Sequence, residues 1–114
     1  MKIDLHTHTK FSDGTYELKE LLAEADRQNI NVIAITDHDT VKAFEYLDKI
    51  SHKYRVKVIK GVELTTVYRN EVIHLICLFK NNIIPTEILD YCLEQQRMRN
   101  ARAVEMLNEA KNTV

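Results

Sequence analysis

The sequence predicts an α/β fold with about four strands and three helices, of which the last helix is long. Short apolar runs alternate with stretches whose apolar residues recur at helical spacing, in the repeated order strand, loop, helix. Val32–Ile35 is apolar throughout, which is typical of a parallel strand covered on both faces. From Pro85 onward the helical pattern continues without a break. These features indicate parallel strands connected by helices.

The composition indicates a single folded domain. With 114 residues, the chain is long enough for one domain and too short for two. Its 16 basic and 17 acidic side chains nearly cancel, so composition gives no general attraction to nucleic acid or anionic lipid. No apolar run approaches the roughly 20 residues of a membrane span, and a signal-peptide pattern is lacking. Cys77 and Cys92 are isolated thiols suited to apolar packing. We therefore expect a cytoplasmic protein without a membrane partner.

The first strand is predicted to be short and to end at two histidines. Residues 1–5 alternate weakly in polarity and lead into His6 and His8. Side chains two residues apart in a strand lie on the same side, so both imidazoles can point at one metal ion. Residues 11–15 are predicted to form a turn, in which Gly14 is expected to supply an unusual backbone angle.

Two helices are predicted on either side of the second strand. The first covers about residues 17–29, is capped by Thr15 and has a face formed by Leu18, Leu21, Leu22 and Ala25. The second covers about residues 41–53, with Phe44, Leu47 and Ile50 or Ser51 on one face. Between them, the strand Val32–Ile35 ends in Thr-Asp-His-Asp-Thr, and the carboxyl ends of such strands are where α/β proteins usually bind ligands.

A β-rich segment at residues 56–66 carries Glu63 and is predicted to form a hairpin. If Arg69 and Asn70 make a two-residue turn, Tyr68 faces Glu71, Thr65 faces His74 and Glu63 faces Ile76. Glu63 and His74 would then be diagonal neighbours on one face, about 7 Å apart at Cα. They could bind one metal ion.

The last helix is predicted to begin near Pro85 and to continue to the end of the sequence. Its length of about 28 residues corresponds to roughly 40 Å, which exceeds what a compact domain of this size requires. We therefore expect its far half to pack on another surface.

Each candidate donor has an ordinary explanation when it is considered alone. A His-x-His pair is a common coincidence, Asp39 is suited to cap a helix, and Glu63 is tolerated at an exposed strand end. His74 could be a hydrogen-bonded core histidine, and His52 lies in a polar helix end typical of plain surface. The convergence favours a site, because four successive strands each deliver a His, Asp or Glu. Mixed nitrogen and oxygen donors suit Zn, Mn or Fe.

In order and spacing, these motifs resemble those at the start of the PHP (polymerase and histidinol phosphatase) superfamily. The matching segments are His6-Thr-His8, Ser12-Asp-Gly14, Thr36-Asp-His-Asp39, Gly61-Val-Glu63 and His74-Leu75. The Ser-Asp-Gly and Thr-Asp-His-Asp-Thr sequences are most similar to the motifs of the TrpH-type branch. The resemblance spans essentially the whole chain, so we expect residues 1–114 to belong to one PHP domain.

The resemblance implies a distorted (β/α)7 barrel, of which this chain would be a part, with two or three divalent metal ions at the strands' carboxyl ends. By matching positions it assigns His6, His8 and Glu63 to one metal, Asp13 and His38 to a second, and Glu63 with His74 to a third. It also implies that Asp37 and Asp39 orient the imidazoles. The metal ions are expected to be Zn, Mn or Fe.

The family also uses ligands that this sequence lacks. These are a further His or Cys and a C-terminal Asp-x-His pair, whereas no histidine follows His74. We therefore expect the chain to be the N-terminal half of a PHP domain, with four of seven strands. It is either a truncated product or a naturally short form, and its open sheet edge is expected to be closed by the missing half or by a second copy.

The resemblance implies a metal-dependent phosphoesterase acting on a phosphorylated small molecule or short oligonucleotide. Nucleoside 3′,5′-bisphosphates and the 5′ end of short RNA are the expected substrates, and histidinol phosphate stays open. Arg99 and Arg102 share a helix face and are candidates for binding substrate phosphate, whereas Arg97 lies off that face. Two other functions stay open: a non-catalytic metal-binding or assembly module with an incomplete metal site, and a metal-dependent amidohydrolase, which shares the His-x-His pair.

Overall fold

The protein, described by a computed structural model over residues 1–112, contains one four-stranded sheet and three α-helices. The strand order is β1-β2-β3-β4; the first three strands are parallel, and β4 pairs antiparallel with β3. The elements in chain order are β1 (Ile3–Thr7), α1 (Leu18–Arg27), β2 (Val32–Ile35), α2 (Phe44–Ile50), β3 (Lys57–Tyr68), β4 (Glu71–Leu78) and α3 (Thr86–Asn112). The predicted α/β class, the number of strands and helices and the long last helix are confirmed.

Helix α1 packs on the sheet through an apolar face. Leu18, Leu22 and Ala25 are buried and belong to one core cluster with Ile33 and Ile35 of β2. Burial of each such Leu or Ile stabilises the fold by about 1.5–3 kcal/mol relative to an exposed side chain. This cluster holds α1 against the strand that leads to the site.

The start of α1 differs from the prediction. The N-cap is Glu17, whose backbone N–H donates to the Glu20 carboxylate at 3.3 Å. Two glutamates three residues apart can satisfy backbone groups at a helix start in the manner of a capping box. The prediction of Thr15 as the cap was therefore wrong by two residues.

Helix α2 is shorter than the predicted 41–53. It covers Phe44–Ile50 and is followed by a separate 3₁₀ turn, Ser51–Lys53. Ile50 has φ −122°, which interrupts the helical backbone there. Phe44 and Leu47 are buried, as the apolar pattern indicated, so the predicted face is right although the bounds were too wide.

The β3–β4 hairpin has the predicted register. Tyr68 faces Glu71, Thr65 faces His74 and Glu63 faces Ile76. The two turn residues Arg69 and Asn70 have φ of 49° and 65°. Positive φ at both positions is the geometry of a two-residue type I′ turn, whose twist matches that of the strands.

Helix α3 begins directly after Pro85 and runs for 27 residues. Cys92 is buried, whereas every described residue from 97 to 112 is exposed. The exposed part carries several large apolar side chains, namely Met98, Val104, Met106 and Leu107. None of the described helices has the length and hydropathy needed to cross a membrane.

Candidate metal centre

The fold brings six predicted donors to one edge of the sheet. His6 and His8 come from the end of β1, Asp13 from the following loop and His38 from the loop after β2. Since β1, β2 and β3 are parallel, their carboxyl ends meet at the same edge, where β3 supplies Glu63. The hairpin register adds His74 from β4.

The loop after β2 is fixed to β3 by backbone hydrogen bonds. Glu63 N–H donates to the Asp37 carbonyl at 3.0 Å, and Asp39 N–H donates to the Glu63 carbonyl at 3.0 Å. His38 is thereby paired with Glu63 in a short parallel bridge. The backbone pairing thus holds these two residues next to each other.

Glu63 lies at the centre of the cluster. Its Oε1 is 2.6 Å from His6 Nε2 and 3.3 Å from His8 Nε2. Its Oε2 is 3.7 Å from His38 Nδ1 and 3.8 Å from His74 Nδ1. Each oxygen of this one carboxylate therefore lies beside two imidazoles.

Asp13 completes the other side of the cluster. Its two carboxylate oxygens lie 3.3 Å from His8 Nδ1 and 3.2 Å from His38 Nε2. The His8 and His38 rings stack with centroids 4.8 Å apart, and His74 meets His38 edge-on at 5.3 Å. The imidazoles thus form a continuous row along the edge.

The six donors form three overlapping groups of three, and within each group the ligand atoms lie within 4.8 Å of one another. The groups are His6, His8 and Glu63; His8, Asp13 and His38; and His38, Glu63 and His74. The first group is the set expected from the resemblance. The second adds His8 to the expected pair and the third adds His38, so each group has the minimum of three protein donors for a metal site.

The donor set fits divalent cations. The Glu63 side chain is 8% exposed, and its ion-pair partners in the described chain are the four imidazoles. A buried carboxylate is costly without a compensating positive charge. Within the described residues, His8 Nδ1 is buried and lacks a hydrogen-bond partner. Opposed nitrogen and oxygen lone pairs repel unless a proton or a cation lies between them, and a cation would satisfy all of these atoms.

Asp37 acts on the site through the loop that carries the donors. Its carboxylate accepts hydrogen bonds from Thr9 N–H at 2.6 Å, Thr9 Oγ1 at 2.7 Å and Ser12 Oγ at 2.8 Å. Both partners lie between His8 and Asp13. The fully buried Asp37 therefore fixes the spacing of these two donors by holding the backbone between them.

Gly14 is required in this loop for a reason other than the predicted one. None of the glycines has a positive φ. A Cβ at Gly14 would lie 2.3 Å from the His8 carbonyl oxygen, far inside van der Waals contact. Gly14 therefore permits the loop to fold back against the backbone of His8.

Asp39 is held by the hairpin and by α3. Its carboxylate accepts hydrogen bonds from Thr65 N–H at 2.7 Å and Arg99 Nη2 at 2.6 Å, and its carbonyl accepts one from Gln96. The side chain is fully buried, so the Arg99 guanidinium supplies the compensating charge. Asp39 thus connects α3 to the loop that carries His38.

An open cavity of about 400 Å³ lies beside the donors. Arg99 lines it together with Asp13, His38 and His74. Arg102, the other arginine predicted to contact phosphate, is exposed and is absent from the described lining. The structure therefore distinguishes two arginines that the helical spacing treated alike.

Phe11 and Gln96 in this cavity wall were not identified from the sequence. Phe11 lines it from the β1–α1 loop, and Gln96 lines it from α3. An exposed aromatic residue two positions before a predicted donor was the available signal for Phe11. Gln96 could not have been found, because its position depends on how α3 packs against the sheet.

Comparison with known proteins identifies the family. The family model that describes the PHP domain matches residues 4–105 of this chain. The chain belongs to the PHP family. A 5′-3′ exoribonuclease from Haemophilus influenzae is 34% identical over 107 residues, which cover 92% of this chain and 38% of that protein. The 5′-3′ exoribonuclease Rnm of Escherichia coli is 38% identical over 104 residues, which cover 88% of this chain and 34% of that protein.

A solved structure extends the likeness from sequence to fold. A crystal structure described as a putative metal-dependent phosphoesterase from Bifidobacterium adolescentis matches with a TM-score of 0.80 and 26% identity. The match covers 96% of this PHP chain and 39% of that one. The four strands and three helices are therefore a partial PHP barrel, as predicted. The chain spans less than two fifths of the length of both exoribonucleases.

Proposed function

We propose that this PHP chain holds two or three divalent metal ions at the six-donor centre and that the centre serves the hydrolysis of phosphate esters. The observation that carries the proposal is the central position of Glu63, which lies within 2.6–3.8 Å of four imidazole nitrogens. His6, His8 and Glu63 would hold one ion, His8, Asp13 and His38 a second, and His38, Glu63 and His74 a third.

The bound metal ions would supply a hydroxide nucleophile at neutral pH and neutralise charge that develops on the phosphoryl oxygens. The residues around the metal ions position the donors and bind the phosphate. Asp37 and Gly14 hold the loop so that His8 and Asp13 face the same point. Arg99 offers N–H groups to a phosphate in the adjoining cavity while Asp39 restrains its guanidinium.

Small nucleotides and short RNA are the substrates that we propose. The two exoribonucleases named above support this choice, because their names assign them RNA as substrate. The near-neutral net charge of −1 gives no general attraction to nucleic acid, so recognition must come from local groups near the cavity. Nucleoside 3′,5′-bisphosphates offer the same phosphate chemistry in a smaller molecule.

A direct test is phosphate release from a nucleoside 3′,5′-bisphosphate, measured with Mn²⁺ and with EDTA. We expect release that requires metal and is lost in Glu63→Gln. Turnover should be slow, well below the roughly 1–10³ s⁻¹ of typical enzymes, because the family's further ligands are lacking from this sequence. The His52→Ala variant is the matched control, since His52 is exposed on the 3₁₀ turn Ser51–Lys53.

The same assay separates the other two functions. Hydrolysis of an amide substrate without phosphate release would favour an amidohydrolase. Bound metal with hydrolysis of neither substrate, including by a form that supplies the further ligands, would favour a non-catalytic module. Either result would contradict the proposal.

A further inference from the structure

Two exposed aromatic rings stack beside the candidate metal centre. Phe11 and Tyr46 have ring centroids 5.7 Å apart and planes inclined by 7°. Their residues are 40% and 43% exposed, so neither ring is part of the core. Aromatic rings held in water in this way are available to stack with a further flat group.

The two rings form one wall of a cavity of about 470 Å³. Leu18 and Ile50 add apolar surface, and Lys10 and Lys19 lie on its rim. This volume falls within the range of small-molecule sites.

Three lysines lie beside this stacked pair of Phe11 and Tyr46, here called the aromatic platform. Lys49 Nζ lies 5.9 Å from the Tyr46 ring centroid, and Lys10 and Lys19 lie on the same cavity. One acid, Glu17, shares the lining and is 3.8 Å from Lys19 Nζ. The attraction in an exposed ion pair of this length is weak, so Lys19 remains available to an anion. The surface therefore suits a ligand that is both flat and negatively charged.

Phe11 connects the aromatic platform to the cavity beside the metal centre. Phe11 lines both this cavity and the one that contains Asp13, His38 and Arg99. The loop that carries Phe11 is restrained, because Phe11 N–H donates to Thr9 Oγ1 and Lys10 N–H donates to the Tyr16 carbonyl. A ligand with its phosphate at the donors can thus extend its next group onto a fixed aromatic surface.

We infer that the aromatic platform binds nucleobases of a single-stranded oligonucleotide whose scissile phosphate lies at the metal centre, while Lys10 and Lys19 contact its backbone phosphates. Stacking on aromatic side chains combined with a basic rim is how proteins bind single strands without reading their sequence. The inference rests on the proposed function for the position of the phosphate. It adds a binding site for the rest of the strand.

The Tyr46→Trp variant gives a direct readout, because the chain contains no other tryptophan. A 5′-phosphorylated oligoribonucleotide of about six bases, within the roughly 4–16 nucleotides of single-strand sites, is added to the Mn²⁺-loaded chain. Its phosphorothioate linkages resist hydrolysis during the measurement. We expect the tryptophan fluorescence to be quenched. An abasic strand of equal length and charge should leave it unchanged.

Affinity measurements on further variants test the same surface. Tyr46→Leu should weaken binding of the base-containing strand by about five- to tenfold, whereas Tyr46→Phe should retain it. Lys19→Gln should lower the salt dependence of binding by about one phosphate contact. Tyr68→Leu is the control, since Tyr68 is an exposed tyrosine at the far end of β3.

Equal quenching by the abasic strand or by an acidic peptide would overturn the inference, because charge alone would then explain binding. Unchanged affinity in Tyr46→Leu would also overturn it. Failure here is distinguishable from failure of the proposed function, since metal content and metal-dependent phosphate release in Tyr46→Leu are measured separately. Circular dichroism of each variant verifies that it is folded.

Discussion

Asp39 shows how one residue can support a site without contacting its donors. It is fully buried, has φ of 50° and is bound by Thr65 and Arg99. Asp is among the few residues that tolerate a left-handed backbone, and its carboxylate needs the charge that Arg99 provides. The Thr-Asp-His-Asp segment therefore combines a predicted donor, His38, with two buried acids that hold the neighbouring backbone.

Arg99→Gln should weaken binding of inorganic phosphate to the metal-loaded chain by about tenfold, since charge-assisted hydrogen bonds contribute about 1.5–3 kcal/mol. Arg102→Gln is the matched control and should leave binding unchanged, because Arg102 lies outside the described cavity lining. Isothermal titration measures both. Equal losses in the two variants would show that the helix contributes only general positive charge.

Burial also determines the chemistry of Cys92. Desolvation raises the pKa of its thiol to about 11, with a smaller contribution from the negative charge of Asp39. At pH 8 the thiol is therefore almost entirely protonated and unreactive. This agrees with the interpretation of Cys92 as an apolar packing residue.

We expect iodoacetamide to modify Cys92 at pH 8 at least about a hundredfold more slowly in the folded chain than in urea, as measured by peptide mass spectrometry. Because the folded pKa is raised, the stabilisation is fully present below the ordinary thiol pKa of 9.0 and is lost as pH rises toward about 11. Unfolding curves should therefore shift to lower denaturant concentration above pH 9. Rapid modification in the folded state would contradict this account.

At the scale of elements, local chemistry determined how well each could be predicted. The hairpin register follows from a two-residue turn, and all three predicted cross-strand pairs are present. The cap of α1 and the bounds of α2 were wrong, because glutamate capping at Glu17 and the interruption at Ile50 have weak sequence signals. The close approach of Gly14 to His8 depends on the folded loop.

Asn70→Gly should stabilise the chain by about 0.5–1 kcal/mol, because glycine adopts the positive φ of a type I′ turn without strain. Thermal unfolding followed by circular dichroism measures the gain. Asn100→Gly within α3 is the control and should give no gain, since glycine is a poor helix former. A lower midpoint for Asn70→Gly would show that the turn geometry differs.

At the scale of the whole molecule, apolar surface remains exposed on both outer strands and on α3. Ile3 and Leu5 of β1 are 55% and 43% exposed, and Leu75 of β4 is 50% exposed. Unpaired strand edges and contiguous apolar patches favour association. The predicted length of α3 indicated that part of this surface packs on another surface. The sequence did not indicate the chemistry of that covering surface.

We expect the 114-residue chain to self-associate at micromolar concentration, as measured by sedimentation velocity. A Val104→Gln/Leu107→Gln double variant should reduce association, because it removes apolar surface from the exposed part of α3. Asn108→Gln, a polar change on the same part of the helix, should have no effect. A monomer over the whole concentration range would contradict a second copy as the covering surface.

Predicted donors from four strands were brought together by the parallel order of β1, β2 and β3 and by the register of the β3–β4 hairpin. The alternation of strands with helices and the two-residue turn are the sequence patterns that predicted this arrangement. The supporting contacts of Asp37, Asp39 and Arg99 depend on packing between distant segments. The stacking of Phe11 on Tyr46 also depends on packing between distant segments.

Metal content after equilibrium dialysis against Mn²⁺ or Zn²⁺ tests the central claim most directly. The wild-type chain and His52→Ala should each bind two or three ions per chain. His8→Ala should reduce bound metal severalfold, because His8 contributes to two of the three donor groups. Equal metal content in wild type and His8→Ala would contradict the assignment of these side chains to a shared metal centre.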